Sequence, residues 1–413
     1  MIRNYIKLAL TVLGRRKFFT FISLFGITLT LAVLVVAAAI LDNAFEPQQP
    51  ESRFDRVLGT YYIGIYTESG GTTSPPGYGF LDKYVRGLSK AEATSIFTGS
   101  SPMVMYHDGR KLETHLRRTD GAYWQILDFE FLEGGPFTEA DNQNVNHVAV
   151  ITDDMRERLY GPNVSALGKT FLLDGQRFRV TGVVPALPIT RRVGFSEIWT
   201  PIRTTKGEYQ KAMIGNFGAI VLARSPDDFA ALRSEFQQRL TQFQFDEPGP
   251  MNRVVAGLDT LFEATARNLM GNQTDIDRPA MLRLIIVILG LLFITLPTVN
   301  LVSINLSRIM ERASEIGVRK AFGASSRTLV GQFVMENVVL TVIGGTFAFA
   351  LATWVLAMIS NAQFIPYAIF EVNPRIFGYG MLLAAFFGIV SGVYPAWRMS
   401  RMHPVNALKG GAQ

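Results

Sequence analysis

"FFTFISLFGITLTLAVLVVAAAIL", residues 18–41, contains no Asp, Glu, Lys or Arg. A helix crosses the hydrocarbon core of a bilayer with roughly 20 consecutive apolar residues. A charge at its centre would cost about 2.5–3.5 kcal/mol on insertion scales. The stretch therefore predicts a membrane span. Arg15, Arg16 and Lys17 precede it and Ala37-Ala38-Ala39 closes it, features that a signal peptide shares. Its apolar part is longer than the roughly 7–15 residues of a signal h-region, so we read it as a retained anchor.

Three more charge-free runs follow, at 284–307, 337–359 and 376–397. The 413-residue chain is 48% hydrophobic with mean hydropathy +0.20, more apolar than an ordinary soluble protein of this length. Basic residues collect in three places: Arg3, Lys7, Arg15, Arg16 and Lys17; then Arg308, Arg312, Arg319, Lys320 and Arg327; then Arg398, Arg401 and Lys409. Cytoplasmic loops carry the Lys/Arg excess, which puts all three inside and both termini cytoplasmic. The net charge of +6 is thus a topology signal, set where anionic inner-leaflet lipid lies, and does not imply nucleic acid.

The expected fold class is membrane α-helical, four transmembrane helices with a large extracytoplasmic α+β domain inserted between helices 1 and 2. The boundaries read as follows: a cytoplasmic amphipathic segment at 1–17, helix 1 at 18–41, the extracytoplasmic domain at 42–280 and helix 2 at 281–307. A cytoplasmic coupling helix at 308–328, helix 3 at 329–359, a short external loop at 360–375, helix 4 at 376–397 and a cytoplasmic tail at 398–413 complete the chain.

Within 42–280, Asp108-Gly109 and Asp174-Gly175 each sit between alternating runs, a signal for two-residue hairpins. Thr152 caps a predicted helix that Gly161 ends, and Asp153 and Asp154 fill its first turn. Ser225 and Pro226 open another, with Phe229, Leu232, Phe236, Leu240 and Phe243 on one face. A further helix is expected around 257–271. The Gly/Ser/Thr/Pro-rich stretch 68–79 reads as a loop.

Catalytic patterns are absent from the sequence. There is no cysteine, which excludes disulfides and thiolate chemistry. His107, His115, His147 and His403 form no metal-ligand spacing and read as surface or turn residues. Asp153-Asp154 and Asp227-Asp228 sit at helix starts, where acids complement the dipole. "GPNVSALGKT" (161–170) ends like a phosphate-binding loop but has Asn163 where that loop needs glycine. No cofactor is expected in this chain. No span carries a central ionisable residue, which argues against an ion-coupled carrier. Pro297 in the second span is a candidate hinge. Glu336 is expected at the cytoplasmic interface.

Between the second and third runs, Arg308, Glu311, Arg312, Glu315 and Arg319 fall at spacings of three and four, one charged stripe of a helix. Gly323 suits its C-cap, and Ser325 or Ser326 the N-cap of the next helix. Lipid-surface packing and docking to a cytoplasmic partner both fit this stripe.

"ERASEIGVRKAFGAS" (311–325) with "VMENVVLTVIGG" (334–345) resembles the signature of MacB/FtsX-type ABC transporter permeases. The ending "YPAWRMSRMHPVNALK" (394–409) resembles the same family's C-terminus, and 133–185 resembles its periplasmic core domain. The resemblance implies a permease that works on an ABC ATPase, here expected as a separate cytoplasmic subunit carrying ATP and Mg²⁺. By resemblance the docking positions are Glu315, Gly317, Arg319, Lys320, Gly323 and Ala324. It further implies a second permease copy, leaves room for a periplasmic adaptor, and places the chain among the lipids of the bacterial inner membrane. The implied function is ATP-driven motion of the extracytoplasmic domain for export, efflux or envelope substrate handling. The alternative is a membrane-anchored regulator of a cell-wall enzyme or sensor kinase.

Overall fold

A computed structural model of the protein describes residues 2–15, 17–68, 70–244, 253–270, 277–292, 295, 318, 322 and 325–400. The chain divides into two units.

The helical unit holds 1–43, 283–364 and 369–413. Its described helices are Ile2–Arg15, Lys17–Phe45, Ser326–Asn361 and Pro374–Ser400, together with the helix that begins at 278 and is described to 292. Among the described residues, Lys17–Phe45 and Val330–Asn361 are long and apolar enough to cross a membrane. The second run, expected at 281–307, lies outside the described residues beyond 292 except for Thr295. Along Lys17–Phe45 the buried positions Ser23, Ile27, Leu31, Val35, Ala39 and Asn43 recur every fourth residue, which makes one packed stripe. Phe18, Phe21, Phe25, Leu29 and Val33 leave large apolar side chains exposed on the other faces. A helix apolar inside and outside suits lipid as its solvent.

Small residues bring these helices together. A Cβ on Gly344 would stand 2.7 Å from Ile27, and one on Gly345 would stand 2.1 Å from the Met381 sulfur. Thr28 donates its hydroxyl to the Gly344 carbonyl at 3.1 Å across the same contact. Close backbone approach at glycine is how membrane helices gain dispersion contact when burial from water cannot drive association. Ser325 caps Ser326–Asn361 by accepting from the Thr328 amide. Glu336 is buried within this unit and accepts from Gln332 at 3.1 Å.

The second unit spans 44–282, with Ile365–Ala368 grouped in it. Its strands are β1 (Val57–Thr60), β2 (Ile63–Tyr66), β3 (Gly71–Ser74), β4 (Ala91–Thr98), β5 (Ser101–His107), β6 (Arg110–Thr119) and β7 (Glu133–Gly134). After them come β8 (Val148–Thr152), β9 (Thr170–Leu173), β10 (Gln176–Val184), β11 (Ile198–Pro201), β12 (Phe217–Ala223) and β13 (Arg253–Ala256). Ten strands form a mixed sheet in the order β1-β12-β4-β6-β11-β8-β10-β7, with β5 paired to β6 and β9 to β10. The pairs β6–β11 and β8–β10 are parallel. A three-stranded sheet β13-β2-β3 completes the unit. Gly59 and Asp259 exchange both backbone hydrogen bonds, at 2.7 and 2.8 Å.

Both Asp-Gly hairpins form where expected. Asp108 (φ 49°) and Gly109 (φ 74°) join β5 to β6, and Asp174 (φ 51°) and Gly175 (φ 68°) join β9 to β10. Two successive positive φ values are the type I′ geometry that matches strand twist. The helix Asp153–Tyr160 starts at Thr152, whose hydroxyl accepts from the Met155 amide, and stops at Gly161 (φ 95°). Thr152→Ala removes that acceptor and is expected to cost about 1 kcal/mol. Urea denaturation followed by tryptophan fluorescence would read it, and an unchanged midpoint would contradict the capping role. Ser225 caps a short 3-10 turn before Phe229–Leu240. Leu232 and Phe236 of that helix are buried, with Phe229, Leu240 and Phe243 packed around the same core.

The stretch 68–79 is not wholly loop. Gly71–Ser74 pairs with β2, and Tyr78 begins a helix. A Cβ on Gly77 would lie 2.1 Å from the Ala212 carbonyl oxygen, so this glycine serves close backbone packing.

Candidate functional site

The sequence-derived docking residues Glu315, Gly317, Arg319, Lys320, Gly323 and Ala324, and the hinge candidate Pro297, lie outside the described residues. The phosphate-loop decoy resolves differently. Lys169 lies 4.9 Å over the Tyr160 ring, and Thr170 starts strand β9 where a phosphate loop needs a helix. Among the described residues no three His, Asp or Glu side chains stand close enough to hold a metal ion.

A buried polar cluster of the α+β unit lies where the chain, having left helix Lys17–Phe45, enters its first strand. Arg191, in the segment between β10 and β11, is 3% exposed and reaches back to this linker. It donates to the Glu46 carbonyl at 3.0 Å and to the Gln48 side-chain oxygen, and stands 3.8 Å from the Glu51 carboxylate. Glu51, also buried, accepts from the Gly194 amide at 2.8 Å and the Val193 amide at 3.1 Å. Burial pushes the Glu51 carboxyl above its ordinary value; the Gly194 amide, Arg191 and the Val193 amide pull it down.

The far side of the same segment is fixed by Arg117 of β6. This guanidinium, 2% exposed, donates to the carbonyls of Thr98 (3.0 Å), Arg192 (3.0 Å) and Phe195 (3.1 Å) and lies 4.9 Å from the Phe97 ring centroid. Burial pulls its pKa down, yet a guanidinium stays charged in any protein. Tyr123 adds a hydroxyl donated to the Val193 carbonyl at 2.7 Å, and burial holds its own pKa up at about 12. Residues 191–195 are thereby bonded to the linker on one side and to the sheet on the other. Within this unit, a segment so completely satisfied acts as a joint between the linker and the sheet.

A cavity of about 380 Å³ lies beside this joint, lined among others by Phe97, His115, Arg117, Arg192, Phe195 and Phe217. His115 is half-exposed at its wall, its Nδ1 3.3 Å from Glu197, whose other oxygen binds Arg158 at 2.7 Å. Composition and spacing did not single out Glu51, Arg117 or Arg191. Arg117-Arg118 and Arg191-Arg192 are doublets, and only the strand register and the loop path decide which member turns inward.

The MacB-like periplasmic core domain model matches residues 20–239, more than half of the chain. This chain belongs to the MacB/FtsX-like ABC transporter permease family. The FtsX-like permease C-terminal model matches 287–404, while the joint lies within the first match. The ABC transporter permease YknZ of Bacillus subtilis strain 168 is 23% identical over 413 residues, 98% of each chain. The macrolide export ATP-binding/permease protein MacB of Sodalis glossinidius is 26% identical over 426 residues, 98% of this chain and 60% of that protein. The chain thus spans three-fifths of the length of that MacB. The solved extracellular domain of YknZ from Gram-positive bacteria is 19% identical and covers 45% of this chain and 93% of that domain, with TM-score 0.35.

Proposed function

We propose that this permease is the membrane subunit of an ABC transporter whose ATPase is a separate cytoplasmic chain. That chain carries ATP and Mg²⁺, and this one performs no hydrolysis. The ATPase docks on the charged helix around Glu315, Gly317, Arg319, Lys320, Gly323 and Ala324. The permease works as a pair, homo- or heterodimeric, in the bacterial inner membrane with both termini cytoplasmic, and this arrangement leaves room for a periplasmic adaptor. Closure of the ATPase pair moves the docking helices, the spans carry that motion with Pro297 as hinge, and the α+β domain does work on an export or envelope substrate.

The observation that carries this reading is the joint at Glu51, Arg117 and Arg191. The linker after helix Lys17–Phe45 is bonded to the sheet through charged, buried groups. A displacement of that linker would be passed to the sheet, where a flexible linker would absorb it. The full-length match to YknZ, a relative named as a permease, supports a separate ATPase.

Gentle solubilisation, affinity capture and mass spectrometry of co-purifying chains test the proposal. An ABC-type ATPase is expected at a stoichiometry near one per permease. Its absence even after chemical crosslinking would overturn the assignment, and substrate crosslinks confined to the spans would overturn mechanical transmission.

A further inference from the structure

The coupling reading uses the joint and leaves the neighbouring cavity without a role. At about 380 Å³ the cavity falls in the size range of small-ligand sites. The aromatic rings of Phe97, Phe195, Phe217 and Tyr61 contribute to its walls. Its polar lining is of one kind: Arg117, Arg192 and His115 with the neutral Ser100 and Asn216, and no Asp or Glu among the described lining residues.

The two arginines are not equivalent. Arg117 spends its fork on the carbonyls of Thr98, Arg192 and Phe195, so it contributes a permanent buried charge and holds Phe195 in place. Arg192 is exposed, and its guanidinium makes one hydrogen bond among the described residues, to the Thr265 hydroxyl at 3.2 Å. The rest of that planar fork is free to take an anion in bidentate fashion. Two buried carboxylates act on Tyr61 of the wall: Glu51 is already held by the Gly194 and Val193 amides and Arg191, and Asp259 by Arg267 at 2.8 Å. Glu197 stands on the Nδ1 side of His115 and is engaged by Arg158. The charged side chains on the lining itself are therefore cationic, and the carboxylates behind it already have partners.

We propose that this cavity binds a small amphiphile with a flat apolar body and one anionic group. The body packs among Phe97, Phe195 and Phe217, and Arg192 holds the anion. A cationic ligand would be desolvated beside Arg117 with no carboxylate to pair with, a large penalty in a cavity. A wholly apolar one would strip water from Arg192, Asn216 and Ser100 without replacing their hydrogen bonds. The site goes beyond the coupling reading and stands without it, because binding needs no ATPase.

The test uses the full chain in lipid nanodiscs and two probes of the same aromatic body. One is 8-anilinonaphthalene-1-sulfonate; the other is neutral N-phenyl-1-naphthylamine. Hydrogen–deuterium exchange locates binding by segment, so partition into lipid does not register as a site. The sulfonate is expected to slow exchange at 97–102, 189–196 and 214–218, and the neutral probe to need about tenfold higher concentration for the same effect. Arg192→Glu is expected to weaken the sulfonate about tenfold or more. Asn216→Trp, at an exposed position in the lining, is expected to abolish protection by filling the space. Both variants replace exposed residues, and an unchanged unfolding midpoint confirms that each folds. Equal protection by the two probes overturns the charge assignment. No protection in those segments, or protection unchanged by Arg192→Glu, overturns the site.

Discussion

Glu315→Lys combined with Arg319→Glu is expected to abolish recovery of the proposed ATPase subunit. The two residues are four apart, so on the helix expected from the sequence reversing both keeps an opposite-charge pair and costs only a few tenths of a kcal/mol. What changes is the pattern offered to a partner. Each reversed charge in a desolvated interface costs about 2 kcal/mol or more, and the pair together about 4 kcal/mol, roughly a thousandfold in affinity. A complex purified at micromolar concentration would not survive that. Capture from solubilised membranes reads the result directly. Recovery equal to wild type would show that the stripe faces lipid and that the ATPase docks elsewhere.

Arg117→Met is expected to be the most damaging single change in the core domain. Methionine fills similar volume without donors, and the carbonyls of Thr98, Arg192 and Phe195 lose their partner in a buried place. Orphaned acceptors and a Glu51 carboxylate with one cation fewer nearby together cost about 3–5 kcal/mol. For a domain of this size that is a fall of roughly 10 °C in midpoint, followed by the fluorescence of the buried Trp199. Arg117→Lys should rescue little, since an ammonium cannot span carbonyls that a planar fork reaches together. A midpoint within a degree or two of wild type would remove Arg117 from the joint.

The parts of the fold that were legible in the sequence are those decided by two to four neighbouring residues. Asp108-Gly109 and Asp174-Gly175 fix their turns because positive φ is cheap there. Thr152, Gly161 and Ser325 end or begin helices by chemistry that reaches no further than one turn. Residues 71–74 were misread because their strand depends on β2, while glycine and threonine composition speaks only of flexibility. Gly77 was counted toward that looseness although it serves tight packing. The joint was illegible for a related reason: Glu51, Arg117 and Arg191 are far apart in the chain, and a buried arginine reads like a surface one until its carbonyl partners are in place. The docking residues were legible only through resemblance, since lipid contact and partner docking ask for the same charged stripe.

The backbone exchange between Gly59 and Asp259 ties the way into the core domain to the way out of it. A segment whose two ends meet at one point is a cassette: its host needs only to supply two neighbouring attachment points. The interior can then diverge, or be traded whole for another α+β body, while the flanking helices keep their sequences. Within such an architecture the inserted body and the flanking helices can be changed separately, and a chimera carrying a relative's segment between these two residues is the natural unit for exchanging one without the other.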